Sequence, residues 1–79
     1  MNFNEQALKT VLKKNVLYNC IMSPHAQEQI EKYVYEGFPL DYFDSETKKE
    51  LSNYYKIIKN AYYLETKEYI PNIFMELEG

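Results

Sequence analysis

Residues 23–44 read SPHAQEQIEKYVYEGFPLDYFD and carry the clearest fold signals of this 79-residue chain. Ser23 followed by Pro24 predicts a helix start, because a serine hydroxyl caps the first turn and proline lacks an N–H that this turn would leave unpaired. Gly37 predicts the helix end, since glycine readily adopts the left-handed C-cap conformation, and Pro39 prevents the helix from resuming. The pattern therefore predicts a helix of about twelve residues.

The segment before it, between Asn4 and Ile21, predicts an amphipathic helix. Asn2 with Glu5 three residues later resembles a capping box at its start. The apolar residues recur at the helical spacings of three and four. They are Ala7, Leu8, Val11, Leu12, Val16 and Leu17.

The segment after it predicts a third helix, which Asp44 or Ser45 would cap. The preceding loop, residues 38–43, is apolar, and we expect Phe38, Leu40 and Phe43 to pack on the core. Two adjacent apolar stripes predict a helix buried over a wide face, as in a bundle or an oligomer. One stripe holds Leu51, Tyr55, Ile58 and Tyr62; the other holds Tyr54, Ile57, Ala61 and Leu64. Pro71 should end or kink this helix, after which Ile73, Phe74 and Leu77 could form a short final one.

No segment shows the sustained alternation of a strand, so we expect an all-α domain of three main helices spanning residues 1–79. A core this small needs support from a disulfide, a metal or a partner subunit. Cys20 is the only cysteine, and His25 has no second His or Cys at ligand spacing. A homo-oligomer is therefore expected, with neither a disulfide nor a metal.

The composition limits which cellular compartment and which partner molecules we expect for this protein. The sequence has no apolar run of about 18 residues and no signal-peptide pattern, so we expect no membrane span. A lone free cysteine suits the reducing cytoplasm. The net charge is −3 and every basic residue is lysine, which argues against binding a DNA or RNA polymer.

The sequence offers no catalytic constellation, so we predict a binding protein without a cofactor. Cys20 and His25 are separated by the predicted helix start, and Asp41 and Asp44 are more typical of caps than of an acid–base pair. With only two glycines, no phosphate-cradling loop is available.

Residues 23 to 77 resemble a widespread family of small phage proteins. In the pattern of this family, a Pro and a His open a helix. That helix then carries an aliphatic residue, a basic residue, Tyr and another aliphatic residue. A Pro-containing turn that ends in Phe comes after it. That family is similar to the phage anti-CBASS proteins, which are helical oligomers that sequester cyclic-oligonucleotide immune signals without cleaving them. The matching positions here are Pro24, His25, Ile30, Lys32, Tyr33, Val34, Pro39 and Phe43.

The resemblance implies a sponge for a cyclic dinucleotide or trinucleotide, bound where protomers meet. It makes Tyr33 the candidate for base stacking, Lys48 or Lys49 the candidate for a phosphate, and His25 a further ligand-binding candidate. An alternative is a small acidic helical inhibitor that binds a host protein directly, such as a nuclease or a polymerase. A structural or assembly factor is a third possibility.

Overall fold

In a computed structural model, residues 3–71 are described, and they form helices joined by short turns. The four α-helices are α1 (Glu5–Leu12), α2 (Pro24–Glu36), α3 (Ser45–Asn53) and α4 (Tyr55–Thr66). A π-helical turn, Lys13–Leu17, extends α1, and a 3-10 turn, Leu40–Tyr42, lies between α2 and α3. No strand occurs over this part of the chain, so the all-α prediction is confirmed with one helix more than expected.

Both ends of α2 follow the sequence prediction. The Ser23 hydroxyl accepts a hydrogen bond from the N–H of Ala26, and Gly37 ends the helix with a φ of 78°. Glu50 adds a contact that the sequence did not indicate. Its carboxylate accepts hydrogen bonds from both the N–H (2.9 Å) and the hydroxyl (2.5 Å) of Ser23, and so joins α3 to the start of α2.

The first helix begins differently from the prediction. Asn4 is its N-cap, with a side chain that accepts a hydrogen bond from the N–H of Ala7 at 3.1 Å. Asn2, the predicted capping residue, lies outside the described residues. After α1 the π-helical turn keeps Val16 and Leu17 inside the core.

The prediction of one long third helix is wrong. The backbone departs from helical geometry at Tyr54, with φ −106° and ψ 12°, and this break separates α3 from α4. Lys67, in the left-handed conformation with φ 64°, then ends α4 four residues before Pro71. The predicted short helix around Ile73 lies outside the described residues.

The core lies where α1, α2 and α4 meet, and α3 covers one side of it. Phe43 from the apolar loop is buried and Leu40 packs against the core, as predicted, while Phe38 packs edge-to-face on Tyr42 at 4.7 Å. None of the helices between residues 3 and 71 is long and apolar enough to cross a membrane. The largest fully buried side chains include Leu8, Leu12, Ile30, Tyr33, Leu51, Ile58 and Ile70.

Candidate functional site

Tyr33, the residue predicted to stack on a base, lies in the core with 1 % of its surface exposed. Its ring packs edge-to-face on Phe43 with centroids 5.5 Å apart, and the ammonium of Lys9 lies 5.0 Å from the ring centroid. Its hydroxyl donates a hydrogen bond to Glu5 at 2.9 Å. Burial, and then this contact with Glu5, raise the pKa of Tyr33. A base could stack on this ring only if the core opened, so Tyr33 is a structural residue in the folded chain.

His25 is exposed at the first turn of α2 and faces carboxylates. Its Nε2 lies 2.5 Å from Oδ2 of Asp44 and 3.9 Å from Oε2 of Glu46. The hydrogen bond with Asp44 raises the pKa of His25. The pKa of Asp44 falls to about 2, first because the N–H of Thr47 bonds to its carboxylate and then because of His25. A nucleotide phosphate would meet two carboxylates here, so this surface disfavours an anionic ligand.

The four predicted ligand residues do not all converge on one site. Tyr33 and His25 are eight residues apart on α2, which places them about 12 Å apart along the helix axis. Lys48 and Lys49 lie on a different helix, α3, where Lys48 is half-buried and Lys49 is exposed. The structure therefore brings His25 together with Asp44 and Glu46, which the sequence did not predict because the three are separated by a loop.

A different surface combines aromatic rings with a positive charge. We call Tyr55, Lys59, Tyr63 and Tyr69 the tyrosine–lysine face. The rings of Tyr63 and Tyr69 stack with centroids 4.6 Å apart and an interplanar angle of 20°. The Lys59 ammonium lies 5.8 Å from the centroid of Tyr69 and 5.9 Å from that of Tyr55. Exposed aromatic rings can stack on a flat base, and a lysine ammonium can contact a phosphate.

The turn after α4 builds this face. The left-handed Lys67 reverses the chain. The Thr66 hydroxyl holds the reversal, because it accepts a hydrogen bond from the N–H of Glu68 at 3.1 Å and donates to the carbonyl of Tyr62 in the last turns of α4 at 2.9 Å. The returning chain is then fixed by the Tyr55 hydroxyl, which donates to the carbonyl of Ile70 at 2.7 Å. These contacts place the ring of Tyr69 against the ring of Tyr63, and Tyr69 remains 66 % exposed. The sequence did not single out Tyr63 and Tyr69, because their contact depends on the turn at Lys67.

A groove of about 480 Å³ opens beside this turn. Its lining includes two glutamates, which suit a cation better than a phosphate. We therefore do not place an anionic ligand there. The lining residues are Phe3, Asn4, Tyr62, Glu65, Thr66 and Glu68.

Comparisons with known proteins identified no relative of this chain. No protein-family model, curated protein or solved structure matches this chain. The resemblance to the phage family stays a prediction, and any function must be argued from the geometry of the described residues.

Proposed function

We propose that this protein binds and sequesters a cyclic oligonucleotide without cleaving it, and that the tyrosine–lysine face holds the ligand. The observation that carries the proposal is the stacked pair of Tyr63 and the exposed Tyr69 beside the ammonium of Lys59. This location replaces Tyr33, whose ring is buried, and His25, whose neighbours are carboxylates.

The chemistry of the ligand matches what this face offers. A cyclic dinucleotide carries two flat bases and two phosphates, and each base that stacks on an aromatic ring contributes about 1–3 kcal/mol. Sequestration from a host receptor requires nanomolar affinity, or about −12 kcal/mol. One face supplies one exposed ring and one nearby lysine, which is too little for that affinity. Two copies of the face, one from each of two chains, would supply both halves of the ligand.

A second copy of the chain is accordingly part of the proposal. The second apolar stripe that the sequence predicted, which now lies on and just before α4, is only partly buried. Tyr54 and Ala61 pack against the core. Ile57 is 49 % exposed and Leu64 is 73 % exposed. Ile57 and Leu64 are seven residues apart, so they lie on the same side of α4. We call these two residues the apolar strip. It lies on the opposite flank of α4 from Lys59, so a homo-oligomer formed through it would leave the tyrosine–lysine face free to meet the same face of a further chain around the ligand.

The strip also favours the second candidate function, docking on a host protein. An exposed apolar strip on a chain of net charge −3 would suit a basic host enzyme as well as a second copy. The two candidates differ in which surface matters. A sponge depends on Tyr69 and Lys59, whereas a host-protein inhibitor depends on Ile57 and Leu64.

The test is calorimetry of the full chain against a panel of cyclic dinucleotides and trinucleotides, with recovery of the bound ligand after heat denaturation. Tyr69→Ala should weaken binding by about 1–3 kcal/mol and Tyr69→Phe should largely restore it, because stacking needs only the ring. Lys59→Gln should weaken binding and reduce its dependence on salt. Tyr18→Ala is the matched control, since Tyr18 is equally exposed and lies outside the face.

Each outcome has a clear consequence. Intact ligand recovered from the heated protein supports sequestration, and a cleaved ligand shows that the protein is an enzyme. No binding across the panel overturns the sponge proposal. An equal loss of affinity in Tyr18→Ala and Tyr69→Ala would overturn the placement on this face.

A further inference from the structure

Three metal-ligating side chains from two separate segments meet at the starts of α2 and α3. His25 lies in the first turn of α2, Asp44 is the N-cap of α3, and Glu46 lies in its first turn. One ligand atom from each side chain falls within 4.8 Å of the others. We propose that His25, Asp44 and Glu46 form a binding site for a divalent transition-metal ion, and that Zn²⁺ is the ion that suits these donors best.

The donor geometry is close to what zinc requires. With Zn–N and Zn–O distances near 2.1 Å, the donor atoms of a tetrahedral site lie about 3.4 Å apart. The His25–Asp44 pair is 2.5 Å apart and the His25–Glu46 pair is 3.9 Å apart. Metal entry thus requires the first pair to separate by about 1 Å and the second to close by about half that. All three side chains are exposed, so rotations about their side-chain bonds suffice and the helices need not move.

Surrounding hydrogen bonds hold the central ligand in place. Oδ1 of Asp44 accepts a hydrogen bond from the N–H of Thr47 at 3.0 Å, which leaves Oδ2 directed at His25. Gln29 contacts Asp44 twice, accepting from its N–H at 3.1 Å and donating to Oδ2 at 3.3 Å. Partners of this kind orient metal ligands and strengthen metal binding.

The donor types set the preference among metals. One imidazole nitrogen with two carboxylates suits Zn²⁺, Co²⁺ or Ni²⁺, whereas Mg²⁺ and Ca²⁺ prefer oxygen ligands only. Three protein ligands leave the fourth tetrahedral position to water, as in an open zinc site. The site lies on α2 and α3 and is separate from the tyrosine–lysine face on α4.

The test is calorimetric titration of the full-length, metal-free chain with Zn²⁺ and, separately, with Mg²⁺. Because His25 is the only histidine, its imidazole gives a single set of nitrogen signals in an NMR spectrum, and Zn²⁺ should shift them. Glu46→Gln and His25→Ala should each weaken Zn²⁺ binding by at least about tenfold. Glu28→Gln is the charge-matched control, since Glu28 lies close enough to act on His25 electrostatically but is not one of the three ligands.

Cys20 is the competing zinc ligand, because thiolates bind zinc strongly and this cysteine is exposed. The titration is therefore repeated in Cys20→Ser. Binding with one-to-one stoichiometry that survives Cys20→Ser and Glu28→Gln but weakens in Glu46→Gln supports the site. Equal affinities in Glu46→Gln and Glu28→Gln, loss of binding in Cys20→Ser, or an unchanged His25 spectrum would overturn it. Circular dichroism of Glu46→Gln, a change at an exposed side chain, checks that the fold is retained.

Discussion

The Tyr33 hydroxyl donates a hydrogen bond to Oε1 of Glu5 at 2.9 Å and so joins the C-terminal half of α2 to the first turn of α1. The two residues are far apart in sequence and meet because α1 and α2 pack against each other. The ring of Tyr33 is buried in the core and packs edge-to-face on Phe43. Tyr33 therefore connects α1, α2 and the loop before α3.

Removing the Tyr33 ring should destabilise the fold. Tyr33→Ala should lower the free energy of unfolding by about 3–5 kcal/mol, because a buried aromatic ring is lost and a cavity remains. Tyr33→Phe should cost only about 1 kcal/mol, since it removes one hydrogen bond and keeps the ring. Urea denaturation followed by circular dichroism measures both. A Tyr33→Ala protein as stable as the wild type would show that this ring is not a core residue.

The raised pKa of Tyr33 predicts a loss of stability at alkaline pH. In the unfolded chain tyrosine releases its proton near pH 10, whereas burial keeps the native Tyr33 protonated at that pH. Above about pH 10 the native state therefore binds more protons than the unfolded state, and stability falls as pH rises. Denaturation measured at a series of pH values should show a shallower decline for Tyr33→Phe. Tyr18→Phe, a change at an exposed tyrosine, should follow the wild type.

The apolar strip predicts assembly through α4. Light scattering at micromolar concentration should report a mass above the 9.5 kDa of one chain. Leu64→Lys should return the protein to the monomer mass without changing its helical content, because Leu64 is exposed and contributes little to the core. Tyr18→Lys places the same charge at another exposed position and should leave the assembly intact. A wild-type mass of one chain would contradict the prediction.

The helix boundaries that depend on local chemistry could be read from the sequence. Ser23 with Pro24, Gly37 and Asp44 all act as predicted, because capping involves only residues a few positions apart. The break at Tyr54 could not be predicted in this way. The apolar pattern continues through it, and no glycine or proline lies near it to indicate a helix end.

The candidate sites were less predictable because each needs residues that a turn brings together. His25 and Asp44 are 19 residues apart in sequence, and they meet only because the loop after Gly37 folds the start of α3 back onto the start of α2. Tyr69 reaches Tyr63 through the left-handed turn at Lys67, a residue type that rarely adopts this conformation. The burial of Tyr33 likewise depends on α1, which lies outside the segment that resembles the phage family.

The last prediction concerns Thr47, which is fully buried although its side chain carries a hydroxyl. Its Oγ1 makes no hydrogen bond of good geometry to any described residue, although the Asp44 carboxylate lies near enough for the Thr47 side chain to help lower the pKa of Asp44. A buried polar group without a partner costs about 1–3 kcal/mol, and valine has nearly the same shape as threonine without the hydroxyl. Thr47→Val should therefore raise the free energy of unfolding by about 1 kcal/mol or more. The change leaves the backbone N–H of Thr47 free to donate to Asp44, so the cap of α3 is retained.

Thr47→Ser is the matched control, because it keeps the hydroxyl and removes the methyl group. It should lower the free energy of unfolding, since a buried methyl leaves a small cavity when it is deleted. Urea denaturation should thus rank the three proteins with valine most stable, threonine next and serine least. A less stable Thr47→Val protein would show that the hydroxyl has a stabilising partner in solution, such as the Asp44 carboxylate or a buried water.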